Sequence, residues 1–156
     1  VEGATEWCSP FSFVTKPGGG CRLVTDLKGL NDYVERPTHP FPAAKDIINT
    51  IPSGSKRFAV FDALKGYWQI PLDEKSRRFT TFLTEFGRYQ YLRAPMGLCS
   101  SGDEFCRRTD EALGNITGVK KLVDDILIFA PDDDTLMKRI KIVFAKCAEW
   151  GITGEE

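Results

Sequence analysis

Two acids interrupt an apolar stretch of the chain, Val119-Lys120-Lys121-Leu122-Val123-Asp124-Asp125-Ile126-Leu127-Ile128-Phe129-Ala130. Runs 119–123 and 126–130 have the length and composition of strands, so the stretch predicts a β-hairpin with Asp124-Asp125 at its turn. A two-residue turn usually contains Asn-Gly or Asp-Gly, because both central residues take positive φ. Adjacent carboxylates also repel each other unless a cation neutralises them. The stretch therefore indicates either a metal site or an ordinary exposed turn.

A third acid ends another apolar run, Arg57-Phe58-Ala59-Val60-Phe61-Asp62. If strand 58–62 lies beside the hairpin, Asp62, Asp124 and Asp125 converge at one edge of a sheet. Mg²⁺ favours such oxygen ligands and commonly shares substrate phosphates. Two ions about 3.5–4 Å apart activate a hydroxyl and stabilise a departing pyrophosphate. The three acids therefore predict a two-metal site for phosphoryl transfer.

Helix-like segments alternate with β pairs along the rest of the chain. We predict strands at 11–15, 22–26, 79–84 and 88–93, and helices from Pro42 to Ile51, at about 100–113 and after Pro131. Within the first helix, Ile47, Ile48 and Ile51 are expected on one face. The order predicts a mixed α and β fold.

The composition of the chain narrows its function class. The 156 residues are 42% hydrophobic, which suits one domain or two small subdomains around a core. A net charge of −1 argues against a simple electrostatic nucleic-acid binder. The five cysteines contain no Cys-x-x-Cys pair, which argues against a zinc site and favours a reducing compartment. No apolar run approaches the roughly 20 residues that span a bilayer. Because Val1 is not a methionine, we expect a piece of a longer polypeptide.

Ordered motifs in the chain resemble those of reverse transcriptases. Within that family, the chain most resembles the Pol polyproteins of Gypsy-type long-terminal-repeat retrotransposons. The motifs that carry the resemblance are Arg22–Asn31, Phe61–Leu72, Leu92–Leu98 and Leu122–Ile128. The resemblance covers about residues 9–152. It implies an α+β fold with a polymerase-type palm, which is an antiparallel sheet backed by helices, and a fingers subdomain. Residues 1–40 and 71–95 would form the fingers, residues 41–70 and 96–152 the palm, and the thumb would be absent.

The resemblance also implies a role for each matching residue. Two Mg²⁺ ions, with Mn²⁺ as an alternative, would be held by Asp62, Asp124, Asp125 and the Ala63 carbonyl. The incoming nucleotide would be contacted by Lys16, Arg22, Ala63, Lys65, Gly66, Tyr67, Met96 and Gly97. Tyr67 would lie beneath the sugar and exclude a 2′-hydroxyl. The template and primer would lie near Asp26, Lys28, Asn31, Leu122 and Val123.

The implied function is RNA- or DNA-templated DNA synthesis, in which a primer 3′-hydroxyl attacks a deoxynucleoside triphosphate. The expected partners are a primed RNA or DNA template, the nucleotide and the rest of a Pol polyprotein with its thumb, connection and RNase H regions. Self-association is a further expectation. The expected location is intracellular, in the cytoplasm or in virus-like particles. Without a thumb, the chain is expected to hold primer-template weakly, because duplex binding depends mostly on phosphate contacts.

Several alternatives stay open on the sequence alone. Tyr67 and Trp68 also suit a core, Lys16 a solvated turn and Arg22 a surface ion pair. Leu122 stands where the family commonly has tyrosine, and Gly102-Asp103 stands where it often has proline and a small residue. The latter change is expected to alter the start of the following helix. A domesticated, non-catalytic copy that binds nucleic acid or a protein is therefore the second hypothesis, and a chance Asp pair in a generic domain is the third.

Overall fold

The computed structural model of the chain describes residues 3–40 and 42–154. Its strands are β1 (Phe11–Thr15), β2 (Cys21–Thr25), β3 (Arg57–Asp62), β4 (Phe82–Thr84), β5 (Gly87–Tyr89), β6 (Val119–Leu122) and β7 (Asp125–Ala130). Its helices are α1 (Lys28–Asn31), α2 (Ala44–Asn49), α3 (Glu74–Arg77), α4 (Cys99–Leu113) and α5 (Asp133–Trp150). Short 3₁₀ turns occupy Gly66–Gln69 and Arg78–Thr80.

The chain divides into two compact units. The first unit contains residues 1–37 and 70–101, and the second contains residues 38–69 and 102–156. These divisions lie near the predicted fingers and palm bounds, except that residues 96–101 group with the first unit. The names fingers and palm stay predictions.

The second unit is built on the antiparallel sheet β3-β7-β6. Ala59 and Phe61 of β3 pair with Ile128 and Ile126 of β7, so these four side chains share one face. That face packs against the apolar sides of α4 and α5, in a core that includes Val143 at 0% exposure. The opposite face carries the alternate residues of each strand, and Asp62 is one of them. The α+β class, with an antiparallel sheet backed by helices, is confirmed.

Helix α5 is capped at its N-terminus by Asp132 and at its C-terminus by Gly151. Asp132 accepts a hydrogen bond from the Thr135 amide at 2.8 Å, which satisfies one of the free amides of the first turn. Gly151 ends the helix with φ +66, a left-handed conformation that glycine adopts without a steric penalty. Ile152 then donates its amide to the Cys147 carbonyl at 2.8 Å. The chain after α5 is thereby turned back onto its own unit.

The first unit contains two small antiparallel pairs, β1-β2 and β4-β5. Leu27, which directly precedes α1, and Leu30 within α1 are both buried there. Thr25 and Tyr91 are also buried and share a hydrogen bond of 2.8 Å between their hydroxyls. The unit therefore has an apolar interior, and among the residues that the structure describes no buried side-chain N or O atom is left without a hydrogen-bond partner.

Several element predictions differ from the structure. Residues 79–84 are not one strand, because residues 78–80 form a 3₁₀ turn in which the Thr80 hydroxyl donates to the Arg77 carbonyl at 2.7 Å. The helix predicted from Pro42 begins at Ala44, and Ile48 is 63% exposed while Ile47 is buried. Gly102-Asp103 lies within α4, which begins at Cys99 and continues through both residues. Within the described residues, no helix combines the length and apolarity needed to cross a membrane.

Candidate metal and nucleotide site

Strand pairing brings Asp62 and Asp125 opposite each other. They are Cα partners at the end of the β3-β7 ladder, one step beyond the buried pair Phe61 and Ile126. Directly opposed residues in an antiparallel pair have Cα atoms about 4.5–5.5 Å apart and side chains on the same face. Both aspartates are exposed. The predicted convergence of these two acids at a sheet edge is therefore present in the backbone.

The turn of the β6-β7 hairpin lies one residue earlier than the sequence predicted. Leu122 pairs with Asp125, so the central turn residues are Val123 and Asp124 rather than Asp124 and Asp125. Val123 has φ +58, and only the first central residue of the turn has positive φ, which is the pattern of a type II′ turn. A β-branched residue is strained in this region. The Ala63 amide donates to the Asp124 carbonyl at 3.0 Å and ties the turn to the end of β3.

The three aspartates suit a hard divalent cation by their chemistry. Their carboxylate oxygens are the preferred ligands of Mg²⁺, and three neighbouring negative charges repel one another without a cation. No group of three or more acidic, His or Cys side chains among the described residues is gathered closely enough to hold a metal ion. The backbone thus brings the donors to one edge, and rotation of exposed side chains is needed to direct them at one ion.

The loop after β3 packs tightly against α4. Gly66 is buried, and a Cβ atom placed there would lie 2.7 Å from Cζ of Phe105. Tyr67 is half-buried, with its ring centroid 6.1 Å from that of Phe105 in an edge-on arrangement. Burial raises the pKa of the Tyr67 phenol, and the negative charge of Asp124 raises it further. Tyr67 therefore stays neutral at physiological pH and lies within electrostatic reach of the hairpin turn.

A hydrogen-bonded cluster, formed by His39, Asp110 and Lys121, supports the strand that leads to the turn. Asp110 on α4 accepts from His39 Nε2 at 2.5 Å and from Lys121 Nζ at 3.2 Å. The His39 amide donates to the carboxylate of buried Asp103 at 3.1 Å. The cluster joins residue 39, α4 and β6. Sequence reasoning missed it, because its members are far apart in the chain and match no motif.

The predicted phosphate-binding residues of the first unit lie on the β1-β2 hairpin. Lys16 begins the connection, where its amide donates to the Gly20 carbonyl at 3.0 Å. Arg22 lies on β2 opposite Val14. Both cationic side chains are exposed, so the hairpin presents them to solvent.

Asn31 joins α1 to the loop that contains Met96 and Gly97. Its Nδ2 donates to the Gly97 carbonyl at 2.8 Å, and its Oδ1 accepts from the Cys99 amide at 2.9 Å. The carboxamide therefore bonds to the backbone at the start of α4, a contact that the sequence analysis did not foresee. Asp26 accepts from the Lys28 amide at 3.1 Å. Met96 is 38% exposed, and Gly97 has φ +93.

The predicted site residues therefore fall into two groups, one in each unit. The second unit brings together Asp62, Ala63, Lys65, Gly66, Tyr67, Leu122, Val123, Asp124 and Asp125. The first unit contains Lys16, Arg22, Asp26, Lys28, Asn31, Met96 and Gly97.

Comparison with known sequences identifies relatives of the whole region. A sequence model of the family described as reverse transcriptase (RNA-dependent DNA polymerase) matches residues 14–155, which include every predicted site residue. The chain is 32% identical over 138 residues to the enzymatic polyprotein of Cauliflower mosaic virus (strain Strasbourg), covering 88% of this chain and 20% of that protein. It is 34% identical over 140 residues to the retrovirus-related Pol polyprotein from transposon opus of Drosophila melanogaster, covering 86% of this chain and 14% of that protein. The chain thus spans about a fifth or less of these relatives.

Comparison with solved structures supports the fold. The foamy viral protease-reverse transcriptase dRH in complex with double-stranded DNA matches with a TM-score of 0.90 at 24% identity, over 99% of this chain and 27% of that chain. The same viral protein in complex with an RNA/DNA hybrid matches with a TM-score of 0.88 at 23% identity, over 99% and 21% of the two chains. The fold is therefore one already seen in the foamy viral protease-reverse transcriptase. Given the family match over residues 14–155, the chain belongs to the reverse transcriptase (RNA-dependent DNA polymerase) family.

Proposed function

We propose that the chain is the fingers-and-palm part of a reverse transcriptase and contains its nucleotide-transfer site. The observation that carries this proposal is the β3-β7 register, which sets Asp62 opposite Asp125 while Ala63 holds the turn residue Asp124. This arrangement lies within a chain whose family membership rests on nearly its whole length. The reaction is template-directed addition of a deoxynucleotide to a primer 3′-hydroxyl.

Asp62, Asp124, Asp125 and the Ala63 carbonyl would hold two divalent cations, Mg²⁺ or Mn²⁺. Such ions, when bound, neutralise the carboxylates and offset the charge of a triphosphate. The exposed guanidinium of Arg22 suits phosphate oxygens by its planar shape, and Lys16 adds a point charge. The backbone amides of Lys65 and Gly66 would meet the same phosphates.

Tyr67 is the proposed selector of the sugar. Its ring rests against Phe105, and a neutral phenol fixed in this way excludes a 2′-hydroxyl by its bulk. Met96 and Gly97 would line the nucleotide pocket, in a loop that Asn31 holds. Asp26, Lys28 and Asn31 would lie near the template, and Leu122 and Val123 near the primer end.

The parent protein is proposed to be a Pol polyprotein of a Gypsy-type long-terminal-repeat retrotransposon. The similarity to the Pol polyproteins of the Drosophila melanogaster transposons opus and 412 supports this, the latter at 31% identity over 133 residues. The Cauliflower mosaic virus polyprotein is comparably similar, so a viral parent is the alternative. Proposed partners are primed template, deoxynucleotide, the remaining polyprotein regions and a second copy of the chain. The proposed location is the cytoplasm or a virus-like particle.

The second candidate function is a non-catalytic domain that binds nucleic acid or a protein. One observation favours it: within the described ranges, the acids are not gathered into a ready-made metal site. The two candidates differ in their need for a cation, because a binding-only domain gains nothing from three neighbouring carboxylates.

Divalent-metal binding in the presence of a deoxynucleoside triphosphate tests the proposal. We expect calorimetry to detect Mn²⁺ uptake, and Asp124→Asn to weaken it about tenfold or more, since a ligand is lost. Asp134→Asn, an exposed acid in the first turn of α5, is the matched control and should leave binding unchanged. Incorporation of a single nucleotide into a primed template is the activity readout.

Equal Mn²⁺ affinity in the parent chain and in Asp124→Asn would favour the non-catalytic candidate. We expect only weak primer extension by the isolated chain, because its net charge of −1 gives little attraction to a duplex.

A further inference from the structure

The Gln69 side chain forms hydrogen bonds to two segments of the second unit that are far apart in sequence, the loop after β3 and the segment after α5. Its Nε2 donates to the Leu64 carbonyl at 2.6 Å and to the Thr153 carbonyl at 2.8 Å. Its Oε1 accepts from the Thr153 amide at 3.1 Å. The Leu64 amide also donates to the Thr153 carbonyl at 2.9 Å. One carboxamide therefore uses both its donor and its acceptor to join the loop after β3 to the segment after α5.

That segment, residues 152–154, is called the strap. The strap is anchored at its first residue, because Ile152 packs against the core of the second unit and bonds to the Cys147 carbonyl. At its last residue, Gly154 pairs with Ala63 in antiparallel fashion. A Cβ atom at Gly154 would lie 3.2 Å from the Asp62 carbonyl oxygen, which is closer than ordinary van der Waals contact. The strap therefore lies directly against the backbone of Asp62 and Ala63.

The loop that the strap contacts contains a strained residue. Lys65 has φ +49, a left-handed conformation that costs a non-glycine residue on the order of 1 kcal/mol or more. Such a conformation persists only where surrounding contacts enforce it. Two hydrogen bonds bracket Lys65: Gln69 holds the preceding carbonyl, and the Trp68 amide donates to the Lys65 carbonyl at 2.9 Å.

We propose that Gln69 is a positioning residue for the metal and nucleotide site. By joining Leu64 to the strap, it fixes the backbone of residues 62–65, and with it the direction of the Asp62 side chain and the Ala63 carbonyl. Gln69 acts through these residues and contacts neither metal nor nucleotide. A movement of the strap would therefore shift the backbone of residues 62–65 and change the cation affinity of the site. This inference rests on the proposed function for its effect on metal binding, whereas the connection itself is independent of function.

Amide hydrogen exchange measured by NMR tests the connection. In Gln69→Ala, we expect the Leu64 and Thr153 amides to exchange at least about tenfold faster, because their protection is local. Gln90→Ala replaces the other glutamine of the chain, which lies in the first unit, and should leave both rates unchanged. Urea unfolding of each variant separates a local opening from general destabilisation. Unchanged exchange at Leu64 in Gln69→Ala would overturn the inference.

Mn²⁺ affinity tests whether the connection positions the site. We expect about a tenfold weaker affinity in Gln69→Ala, the loss typical when a group that orients a metal ligand is removed. Thr153→Pro removes the backbone N–H that donates to Gln69 Oε1 and should weaken Mn²⁺ affinity similarly. Thr153→Ala keeps that N–H and should leave Mn²⁺ affinity unchanged. Faster exchange at Leu64 with unchanged Mn²⁺ affinity would overturn the positioning role.

The outcomes separate the two proposals. If the parent chain and Asp124→Asn take up Mn²⁺ equally, the proposed metal site is wrong, and the positioning role of Gln69 is wrong with it. The exchange rates of the Leu64 and Thr153 amides still show whether Gln69 joins the loop to the strap. If Asp124→Asn weakens uptake and Gln69→Ala does not, only the inference about Gln69 fails.

Discussion

Gly66 has no room for a side chain, because the Phe105 ring occupies the position that a Cβ atom would take. The family resemblance implies that this glycine contacts the incoming nucleotide. The structure adds a packing reason: the loop can approach α4 this closely only without a Cβ atom. Both reasons apply to the same residue.

Gly66→Ala is expected to lower the free energy of unfolding by about 1–3 kcal/mol, since the methyl group forces the Phe105 ring or the loop to move. Chemical denaturation measures this loss. Adding Phe105→Leu, which shortens the opposing side chain, should recover part of it. If Gly66→Ala is as stable as the parent chain, the close packing of loop and helix is contradicted.

The different positions of Asp124 and Asp125 in the hairpin follow from the strand register and not from the residue types. From the sequence, the acids at 124 and 125 are equivalent, and both were predicted in the turn. Their difference depends on the register, in which Leu122 pairs with Asp125 and leaves Val123 in the turn. A β-branched residue with positive φ contradicts local preference, so propensity alone does not predict it. The presence of acids at the sheet edge was predictable, but their assignment to strand or turn was not.

At the scale of elements, helix α4 organises the second unit by bonding to segments far away in sequence. Asp103 holds the amide of His39, and Asp110 binds both His39 and Lys121. The Lys121 side chain is only 12% exposed, and its Nζ lies 3.2 Å from the Asp110 carboxylate. Through Lys121, the helix supports the strand that ends at the candidate turn.

Asp110→Asn is expected to destabilise the chain by about 1–3 kcal/mol at neutral pH, because the nearly buried Lys121 ammonium loses its countercharge. Glu111→Gln, at the next position of α4, removes only an exposed partner of Arg107 and should cost less than about 0.5 kcal/mol. Urea unfolding compares the two. Equal losses would contradict the role of the cluster.

Strand pairs and some element boundaries were predicted from the sequence, whereas side-chain links between distant segments were not. Strand β3 was predicted to within one residue of its observed bounds, because a run of apolar residues ends at the acid Asp62. Residues 79–84 were predicted as a strand because threonine and phenylalanine favour strands, but hydroxyl bonds to the backbone form a 3₁₀ turn instead. Links such as His39 to Asp103 depend on tertiary packing, and no local pattern predicts them.

At the scale of the whole molecule, the sheet of the second unit has two unequal faces. One face packs against the helices, whereas the other exposes Phe58 and Val60, at 53% and 62%, on the same strand as Asp62. Adjacent exposed apolar side chains favour association with another surface. We expect the isolated chain to self-associate through this face.

Replacing both residues by threonine, which retains strand propensity, is expected to weaken self-association at least about tenfold, since the apolar area available for burial falls. Sedimentation equilibrium measures the change. Leu83→Thr on β4 replaces a side chain that is also about half exposed, at 54%, and is the control. A parent chain that stays monomeric throughout the concentration range would contradict the expectation.

The contact between Gly154 and Ala63 has a practical consequence for anyone who produces this protein. A purification tag or fluorescent reporter fused after residue 156 is connected to Gly154 by two residues, which span at most about 7 Å. A C-terminal fusion therefore begins a short length of chain from Gly154, the residue that pairs with Ala63, and its bulk or its histidines compete with the measurement being made. Production with a removable C-terminal tag, and assays after its cleavage, avoid that interference.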